Sequence, residues 1–203
     1  ENEDLVNCTN WLPLTFRIDD GDWFDPNEWQ VLEFSRRLDL RSGVLARRLR
    51  VRDGKGRETL VESRRLASMA DPHLAALRYT ITPLNYSARI SVRSGLDGDL
   101  INAGVERYRD LASRHLDGVE AAGEGNESWV LVRTNQSGLD VAMAARRSAS
   151  RDGKDIAPEF RVDPDASVTR TVSDAAVDEA RSVEVDKLVA LFTSLDDAPD
   201  GPL

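Results

Sequence analysis

The feature that most constrains this chain is an alternation of apolar and polar side chains with a period of two. In GVLARRLRVRD, residues 43–53, one face of an extended chain is aliphatic and the other is basic. Side chains of a β-strand point alternately to its two faces, so this pattern predicts a strand with one buried face and its arginines in water. The aliphatic face holds Leu45, Leu49 and Val51, and the basic face holds Arg48, Arg50 and Arg52.

The alternation recurs along the chain, with turn residues between the repeats. The segment DGKG at 53–56 predicts a tight hairpin between the first strand and RETLVESRRL. SWVLVRT at 128–134 is apolar on both faces, which predicts a central strand. Further strands are predicted at residues 74–82, 88–96, 138–148, 168–172 and 182–194. Together they predict an all-β fold, a large antiparallel β-sandwich with at most one or two short helices.

Two of these strands allow specific predictions of which side chains face the core. In residues 88–96 the inward positions are Ala88, Ile90, Val92 and Leu96, and the outward positions are Arg89, Ser91 and Arg93. In residues 138–148 the inward positions are Leu139, Val141, Met143 and Ala145.

Other segments lack the alternation. Residues 102–117 carry apolar side chains at helical spacing, which predicts one short helix or a packed loop. We expect residues 118–128 to be a mobile, glycine-rich connector and residues 150–160 to be a loop. No change of composition divides the chain, so we expect one sandwich domain over residues 1–195 and a tail or the start of a linker at 196–203. The helically spaced positions are Val105, Tyr108, Leu111, Ala112 and His115.

Charge narrows the range of functions. The net charge of -9 argues against nucleic-acid binding, which requires cations to neutralise phosphates. No run approaches the roughly 18 apolar residues of a membrane-spanning helix. Residues 36–65 hold eleven basic and four acidic side chains, whereas residues 174–200 hold two and eight. We interpret these segments as solvated strand faces that could meet in the fold, and a specific anion patch is the alternative.

The stretch NWLPLTFRIDDGDWFDPNEW, residues 10–29, places Trp11, Trp23 and Trp29 among five carboxylates. Aromatic rings beside acids suggest a sugar-binding platform, a cation site or the closed end of a β core. The acids do not follow the ligand spacing of an EF-hand, which favours a surface turn over a metal site. Trp11, Trp23 and Trp29 are the candidate carbohydrate-binding residues, with closure of the core as the other interpretation.

Catalytic chemistry has little support in the sequence. Sequence alone pairs no two of the 36 acids in the way a glycosidase requires. Ser113 and His115 are near each other, but the chain lacks a Gly-x-Ser-x-Gly turn. We expect His115 to be a packed ring and His73 a turn residue.

With a single cysteine, Cys8, no internal disulfide forms and no zinc site is predicted, which fits a reducing, cytoplasmic location.

Several separated strings resemble one known family. LVNCTNWLPLTFRIDDGDWFD, LEFSRRLDLRSGVLARRLRVRDGKGRETLVESRRLASMADPHLAALRYTITPLNYSARISVRSGLDG and NAGVERYRDLASRHL resemble the N-terminal domain of glycoside hydrolase family 65. The resemblance runs from about Leu5 to Leu116 and continues more loosely through VDKLVALFTS. The family includes maltose, trehalose and kojibiose phosphorylases and related hydrolases.

This resemblance implies a galactose-mutarotase-like super-sandwich whose most N-terminal strands lie upstream of Glu1. It also implies that the chemistry resides in a following (α/α)6 barrel with Phe-Trp-Asp-Thr-Glu and Lys-Gln-Ala-Asp runs, which this sequence lacks. We therefore expect no catalytic residue, no metal and no cofactor here. Inorganic phosphate would be a co-substrate of the parent enzyme if that enzyme is a phosphorylase.

The parent would cleave an α-linked glucose disaccharide with inversion, using phosphate or water as the nucleophile. The domain's expected partners are the barrel of the same chain and a second copy in a homodimer. The leading hypothesis is thus a non-catalytic accessory domain that supports the barrel and dimerisation. The alternative is a stand-alone carbohydrate-binding module that uses Trp11, Trp23 and Trp29.

Overall fold

The structure, a computed structural model, describes residues 7–102, 113–156, 160–165 and 167–197. All regular elements in these ranges are antiparallel strands, and none of the ranges contains a helix long and apolar enough to cross a membrane. The strands are β1 Leu14–Ile18, β2 Gln30–Asp39, β3 Val44–Arg52, β4 Glu58–Ala67, β5 Leu74–Pro83, β6 Ala88–Asp97, β7 Leu116–Glu124, β8 Glu127–Thr134, β9 Asp140–Arg151, β10 Lys154–Ile156, β11 Arg161–Asp165, β12 Val168–Val177 and β13 Val183–Thr193.

The strands form two sheets that pack as a β-sandwich, as the alternation predicts. The small sheet has four strands in the order β1-β6-β12-β11. The large sheet has nine strands, in the order β2-β3-β4-β5-β13-β9-β8-β7, with β10 paired to β9. Several connections between consecutive strands, some short and some long, move the chain from one sheet to the other, so strands distant in sequence are neighbours in space.

The inward faces fill the space between the sheets. The main core cluster includes Phe16, Ile18, Leu49, Val51, Val61, Tyr79, Ile81, Ile90, Val92, Val183 and Val185. A second core cluster consists of Leu96, Val130, Met143, Ala145 and Val189. A third consists of Leu116, Val132 and Val141. Leu45 and Leu139 are partly buried, and the other inward positions predicted for β3, β6 and β9 lie in the core or pack against it. Apolar burial of this extent is the main stabilising term of such a fold.

Several sequence predictions differ from the structure. Residues 118–128 belong to the hairpin of β7 and β8, so their interpretation as a connector is wrong. Residues 150–156 continue β9 and pair β10 with it, so this part of the predicted loop is also strand. Ser91 faces outward but is buried, and its hydroxyl donates to Asp174. The predicted helix falls largely on residues 103–112, which lie outside the described residues.

The two sheets approach most closely beside Gly98 and Gly118. A Cβ on Gly98 would lie 2.5 Å from Cγ1 of Val132 and 2.8 Å from the carbonyl oxygen of Ser167. A Cβ on Gly118 would lie 2.8 Å from the Ser167 Cβ. The N–H of Gly98 also donates to the Ser167 carbonyl at 2.8 Å. Glycine is thus required here by close packing, which is why a glycine-rich segment can be a strand.

Two cations are buried between the sheets. Lys187 on β13 lies directly opposite Arg147 on β9, and the two residues are 0% and 1% exposed. Both occupy inward positions between apolar neighbours, where the alternation leads one to expect an aliphatic side chain. They separate the main core cluster from the second one. No carboxylate contacts either cation within the described part of the chain.

Lys187 connects the two sheets through backbone carbonyls. Its Nζ donates to the carbonyl oxygen of Trp11 at 2.7 Å and to that of Gly95 at 2.6 Å. Burial lowers the pKa of the Lys187 ammonium well below its ordinary value of 10.5, and the nearby charge of Arg147 lowers it further. Burial also lowers the pKa of Arg147, to about 10. Arg147 therefore stays charged at neutral pH, and Lys187 is the first of the two to lose its proton. A neutral amine keeps two N–H donors, which matches its two carbonyl acceptors.

Replacement of Gly98 by alanine should destabilise the fold. The new methyl group would overlap Val132 and the Ser167 backbone, and overpacking of this kind costs about 1–3 kcal/mol. Gly54→Ala is the matched control, because a Cβ there meets nothing within 4 Å. Urea unfolding of both variants measures the difference. Equal free energies of unfolding for the two would contradict the close packing at Gly98.

The pKa of Lys187 predicts a pH dependence of stability. Because the folded pKa is lowered, the unfolded chain binds the extra proton, and the free energy of unfolding rises with pH from the folded pKa toward 10.5. One proton gives a slope of up to about 1.4 kcal/mol per pH unit.

The Lys187→Met variant should lose this rise, whereas Lys154→Met, at an exposed site, should keep it. The measurement is denaturant unfolding at several pH values below 10.0, the ordinary pKa of tyrosine, since burial raises the pKa of Tyr79. An unchanged slope in Lys187→Met would refute the assignment to Lys187.

Candidate functional site

The three tryptophans of the candidate sugar site lie in different environments. Trp29 packs on the main core cluster, with its ring nearly perpendicular to Phe16 and Phe24 at centroid distances of 5.8 and 5.2 Å. Trp11 packs against the second core cluster, and its carbonyl accepts the Lys187 hydrogen bond. Both rings are partly buried and contribute to closing the core, as in the alternative interpretation of the sequence.

Trp23 lies over the outer face of the small sheet. The guanidinium carbons of Arg17 and Arg93 lie 4.9 and 4.2 Å from its ring centroid, which is cation–π geometry. Among the described aromatic contacts, no ring pairing joins any two of Trp11, Trp23 and Trp29. They therefore do not form one shared platform, and a role for each in carbohydrate binding stays a prediction.

The acids between these tryptophans organise turns. Asp19 has a positive φ of 53° and binds Arg57 at 3.2 Å. Asp25 accepts from the backbone N–H of Asn27 at 2.8 Å, which is the local capping expected of aspartate in a turn. In the described ranges, no three histidine, cysteine or acidic side chains lie close enough together to hold a metal ion.

The two histidines have structural contacts in the described chain. The ring of His73 stacks on Phe192 at a centroid distance of 4.2 Å, and its Nδ1 lies 2.8 Å from the Leu191 carbonyl oxygen. His73 lies in the turn before β5, as predicted. The backbone carbonyl of His115 accepts from the N–H of Asn135 at 3.0 Å.

Several arginines of the basic segment 36–65 pair with acids that are close to them in the sheet. Glu58 accepts from Arg50 at 2.6 Å and from Arg52 at 2.5 Å, and Glu33 pairs with both Arg48 and Arg50. The hydrogen bonds from Arg52 and Arg50 lower the pKa of Glu58. The prediction that this segment would meet the acidic residues 174–200 is not borne out by the ion pairs of the described residues. The acids that pair with the arginines of this segment come from β2, β4 and the adjoining turns.

The larger of two hollows on the outer face of the large sheet is an apolar groove of about 870 Å³. We call it the outer groove. Small side chains on its central strands and larger ones at its sides make the twisted sheet concave. Its apolar lining is Leu66, Leu74, Ala75, Ala76, Trp129, Val130, Leu131, Ala142, Ala144, Ala145, Leu188, Val189 and Ala190.

The fourth tryptophan lies in this groove. The indole N–H of Trp129 donates to Glu120 at 2.9 Å, and Glu127 pairs with Arg146 at 2.6 Å. The sequence signal was present in SWVLVRT, which is apolar on both faces. One face lies in the core, and the other, with Trp129 and Leu131, lines the outer groove. The strand is β8, which pairs with β7 on one side and with β9 on the other, so it lies inside the sheet as predicted.

A second hollow of about 630 Å³ continues the outer groove toward β2. Its lining is more polar, and includes Arg37, Asp39, Arg64 and Arg78. Arg78 donates to both carboxylate oxygens of Asp186 at 2.7 Å, and these hydrogen bonds raise the pKa of Arg78. The outer face of the large sheet thus combines an apolar surface with a fixed ion pair at one end.

The described carboxyl groups with shifted pKa values do not have the raised pKa of a glycosidic acid. Glycosidic cleavage by an acid requires a carboxyl group that stays protonated, which means a raised pKa. Where neighbours shift the pKa of a described carboxyl group, the direction is downward. The two glutamates beside the outer groove are engaged with Trp129 and Arg146.

Comparison with known proteins identifies the family. The sequence model of glycosyl hydrolase family 65, N-terminal domain, matches residues 1–202. An uncharacterized glycosyl hydrolase of Mycobacterium tuberculosis is 39% identical over 198 residues, which are 98% of this chain and 15% of that protein. The kojibiose phosphorylase of Halothermothrix orenii is 25% identical over 197 residues, which are 97% of this chain and 24% of that protein.

A solved structure assigned as a kojibiose phosphorylase from the human microbiome has a TM-score of 0.78 at 16% identity, over 93% of this chain and 23% of that chain. At that identity the likeness shows the fold alone. The chain spans 15% of the length of one relative named above and 24% of the other. The match over nearly its whole length places this chain in glycosyl hydrolase family 65, as the N-terminal β-sandwich domain of that family.

Proposed function

We propose that this domain is a non-catalytic accessory unit that supports the catalytic domain of a family 65 enzyme. The observation that carries the proposal is the family match over residues 1–202. The two relatives described above are about four and seven times longer than this chain. The environments of the described carboxyl groups agree with it, because neighbours keep the shifted ones ionised. Chemistry would then reside in the longer part of the protein, for which the resemblance implies an (α/α)6 barrel.

The outer groove is the surface we assign to the following part of the same polypeptide. Its floor includes β13, which ends at Thr193, three residues beyond Ala190 of the lining. A chain that continues from β13 therefore emerges beside the groove. Leu188 in the groove is 59% exposed and Leu74 is 47% exposed, which is the kind of apolar surface that a packed domain covers.

The similarity to other family members supports a proposal for the activity of the whole enzyme. Two of them are named kojibiose phosphorylase and alpha,alpha-trehalose phosphorylase. We propose that the parent cleaves an α-linked glucose disaccharide, with inorganic phosphate or water as the nucleophile, in a cytoplasmic homodimer. The determinants of substrate and nucleophile would lie in the catalytic domain, outside the sandwich.

An accessory role predicts that the purified chain is inactive. Incubation with maltose, trehalose or kojibiose, with and without phosphate, should release neither glucose nor glucose 1-phosphate. Enzymatic glucose and glucose 1-phosphate assays provide the measurement. Turnover that survives further purification would overturn the proposal.

Tryptophan fluorescence of the same preparation addresses the alternative hypothesis. A carbohydrate-binding module that uses Trp11, Trp23 or Trp29 would show saturable quenching by oligosaccharides. The accessory role predicts flat titrations.

Exposure of the outer groove predicts binding of an apolar dye by this chain. Anilinonaphthalene sulfonate fluorescence should fall in Leu188→Glu, because a charge in the groove opposes apolar contact. Leu40→Glu is the control, since Leu40 is 85% exposed and lies outside the groove lining. Both substitutions are on the surface, so unfolding temperatures should change little. In a longer polypeptide with the catalytic domain, dye binding should be lost even with Leu188 in place. Equal dye binding by the two variants would count against the groove.

A further inference from the structure

Three arginines form a diagonal row across the outer face of the small sheet. Arg17 on β1 pairs with Ser91 of β6, so Arg93 is its diagonal neighbour. Val172 of β12 pairs with Arg93, so Arg170 is the next diagonal neighbour. Diagonal positions on one face of an antiparallel pair are about 7–8 Å apart, within the reach of long side chains. Three cations from three strands therefore converge on one surface of a protein whose net charge is -9.

Trp23 holds two of these arginines. Its ring lies 4.9 Å from Cζ of Arg17 and 4.2 Å from Cζ of Arg93, and Nε of Arg17 is buried without a hydrogen-bond partner. Stacking on an aromatic ring fixes the plane of a guanidinium group but leaves its outer N–H groups available. Both arginines are thus held in place before any ligand binds.

The acids on this face serve other arginines. Arg89 pairs with Asp20, and Arg161 pairs with Asp174, which also accepts the Ser91 hydroxyl. Arg170 lies opposite Asp163 and 3.9 Å from Asp165.

Arg17 and Arg93 have no carboxylate partner among the described residues. Burial, followed by the charges of Arg170 and Arg17, lowers the pKa of Arg93. The pair therefore carries positive charge that the described chain does not neutralise.

We propose that Arg17 and Arg93, oriented by Trp23, form an oxyanion site that takes a phosphate-class ligand. A guanidinium group presents N–H donors in a fork that matches two oxygens of a phosphate or carboxylate. Two guanidinium groups held against the same ring suit the several oxygens of a phosphoryl group better than the two of a carboxylate. Arg170 adds charge at the border of the site, where Asp165 partly offsets it.

This site is independent of the outer groove and of the accessory role, because it lies on the other sheet. Its oxyanion could be free inorganic phosphate, the phosphoryl group of a sugar phosphate, or a carboxylate from another part of the protein. All three share oxygens with delocalised negative charge. Titration with separate small anions distinguishes these sources.

The test is titration of this chain with inorganic phosphate at constant ionic strength, followed by NMR of the arginine Nε–Hε signals. Saturable shifts of the Arg17 and Arg93 signals, larger than those of Arg89, are the expected result. Glucose 1-phosphate and acetate, titrated in the same way, identify whether a phosphoryl group or any oxyanion suffices. Chloride at equal ionic strength is the reference, and shifts no larger than those in chloride would overturn the proposal.

Variants give a second measurement by isothermal titration calorimetry. Arg17→Gln and Arg93→Gln should each weaken phosphate binding by about tenfold, the loss expected for one charge-assisted contact. Arg89→Gln removes the same charge from the same face but at a residue paired with Asp20, so it should leave the affinity within about twofold. Equal weakening by all three would mean general surface charge and would also overturn the site. If a glutamine variant fails to fold, the wild-type NMR shifts still decide.

Discussion

The structure depends on a polar connection between the two sheets inside a largely apolar sandwich. Lys187 extends from the large sheet and donates to carbonyl oxygens of Trp11 and Gly95 on the side of the small sheet. Its neighbour across the strands, Arg147, binds Ser128 and the Ala145 carbonyl. An apolar core fits many alignments of two sheets, because its contacts lack direction. Two directed hydrogen bonds to particular carbonyls select one of them, and each unmade bond would leave a buried polar group at a cost of about 1–3 kcal/mol.

Much of the fold follows from the alternation alone, and the exceptions have physical causes. Most of the inward positions predicted for β3, β6 and β9 are correct because aliphatic burial decides them. Lys187 and Arg147 could not be assigned to the core, since a charged residue at an inward position usually signals a break in the pattern. Residues 118–128 resemble a loop in composition because close packing requires glycine at Gly118 and the hairpin turn, with its positive φ, requires it at Gly125.

The candidate site was less predictable than the fold. Trp11, Trp23 and Trp29 are near one another in sequence, but they lie in three different places. Trp29 packs on the main core cluster, Trp11 packs on the second core cluster, and Trp23 lies over the outer face of the small sheet. Trp129 is the tryptophan that lines the outer groove, and its neighbours there come from β4, β5, β9 and β13. Sequence proximity does not reveal a surface assembled from strands so distant in the chain. The two outer faces also differ in chemistry, because one is apolar around Trp129 and the other presents unneutralised arginines around Trp23.

The position of β13 has a consequence for biosynthesis. It is the last described strand in chain order, yet it lies in the interior of the large sheet, between β5 and β9. Until the ribosome has released it, β2–β5 and β7–β9 are two separate sheets with open edges where β13 will insert. Pairings that span about a hundred residues form slowly, since loop-closure entropy must be overcome first. The nascent domain therefore cannot complete its core during most of its own translation, and it is exposed to edge-to-edge aggregation throughout that interval.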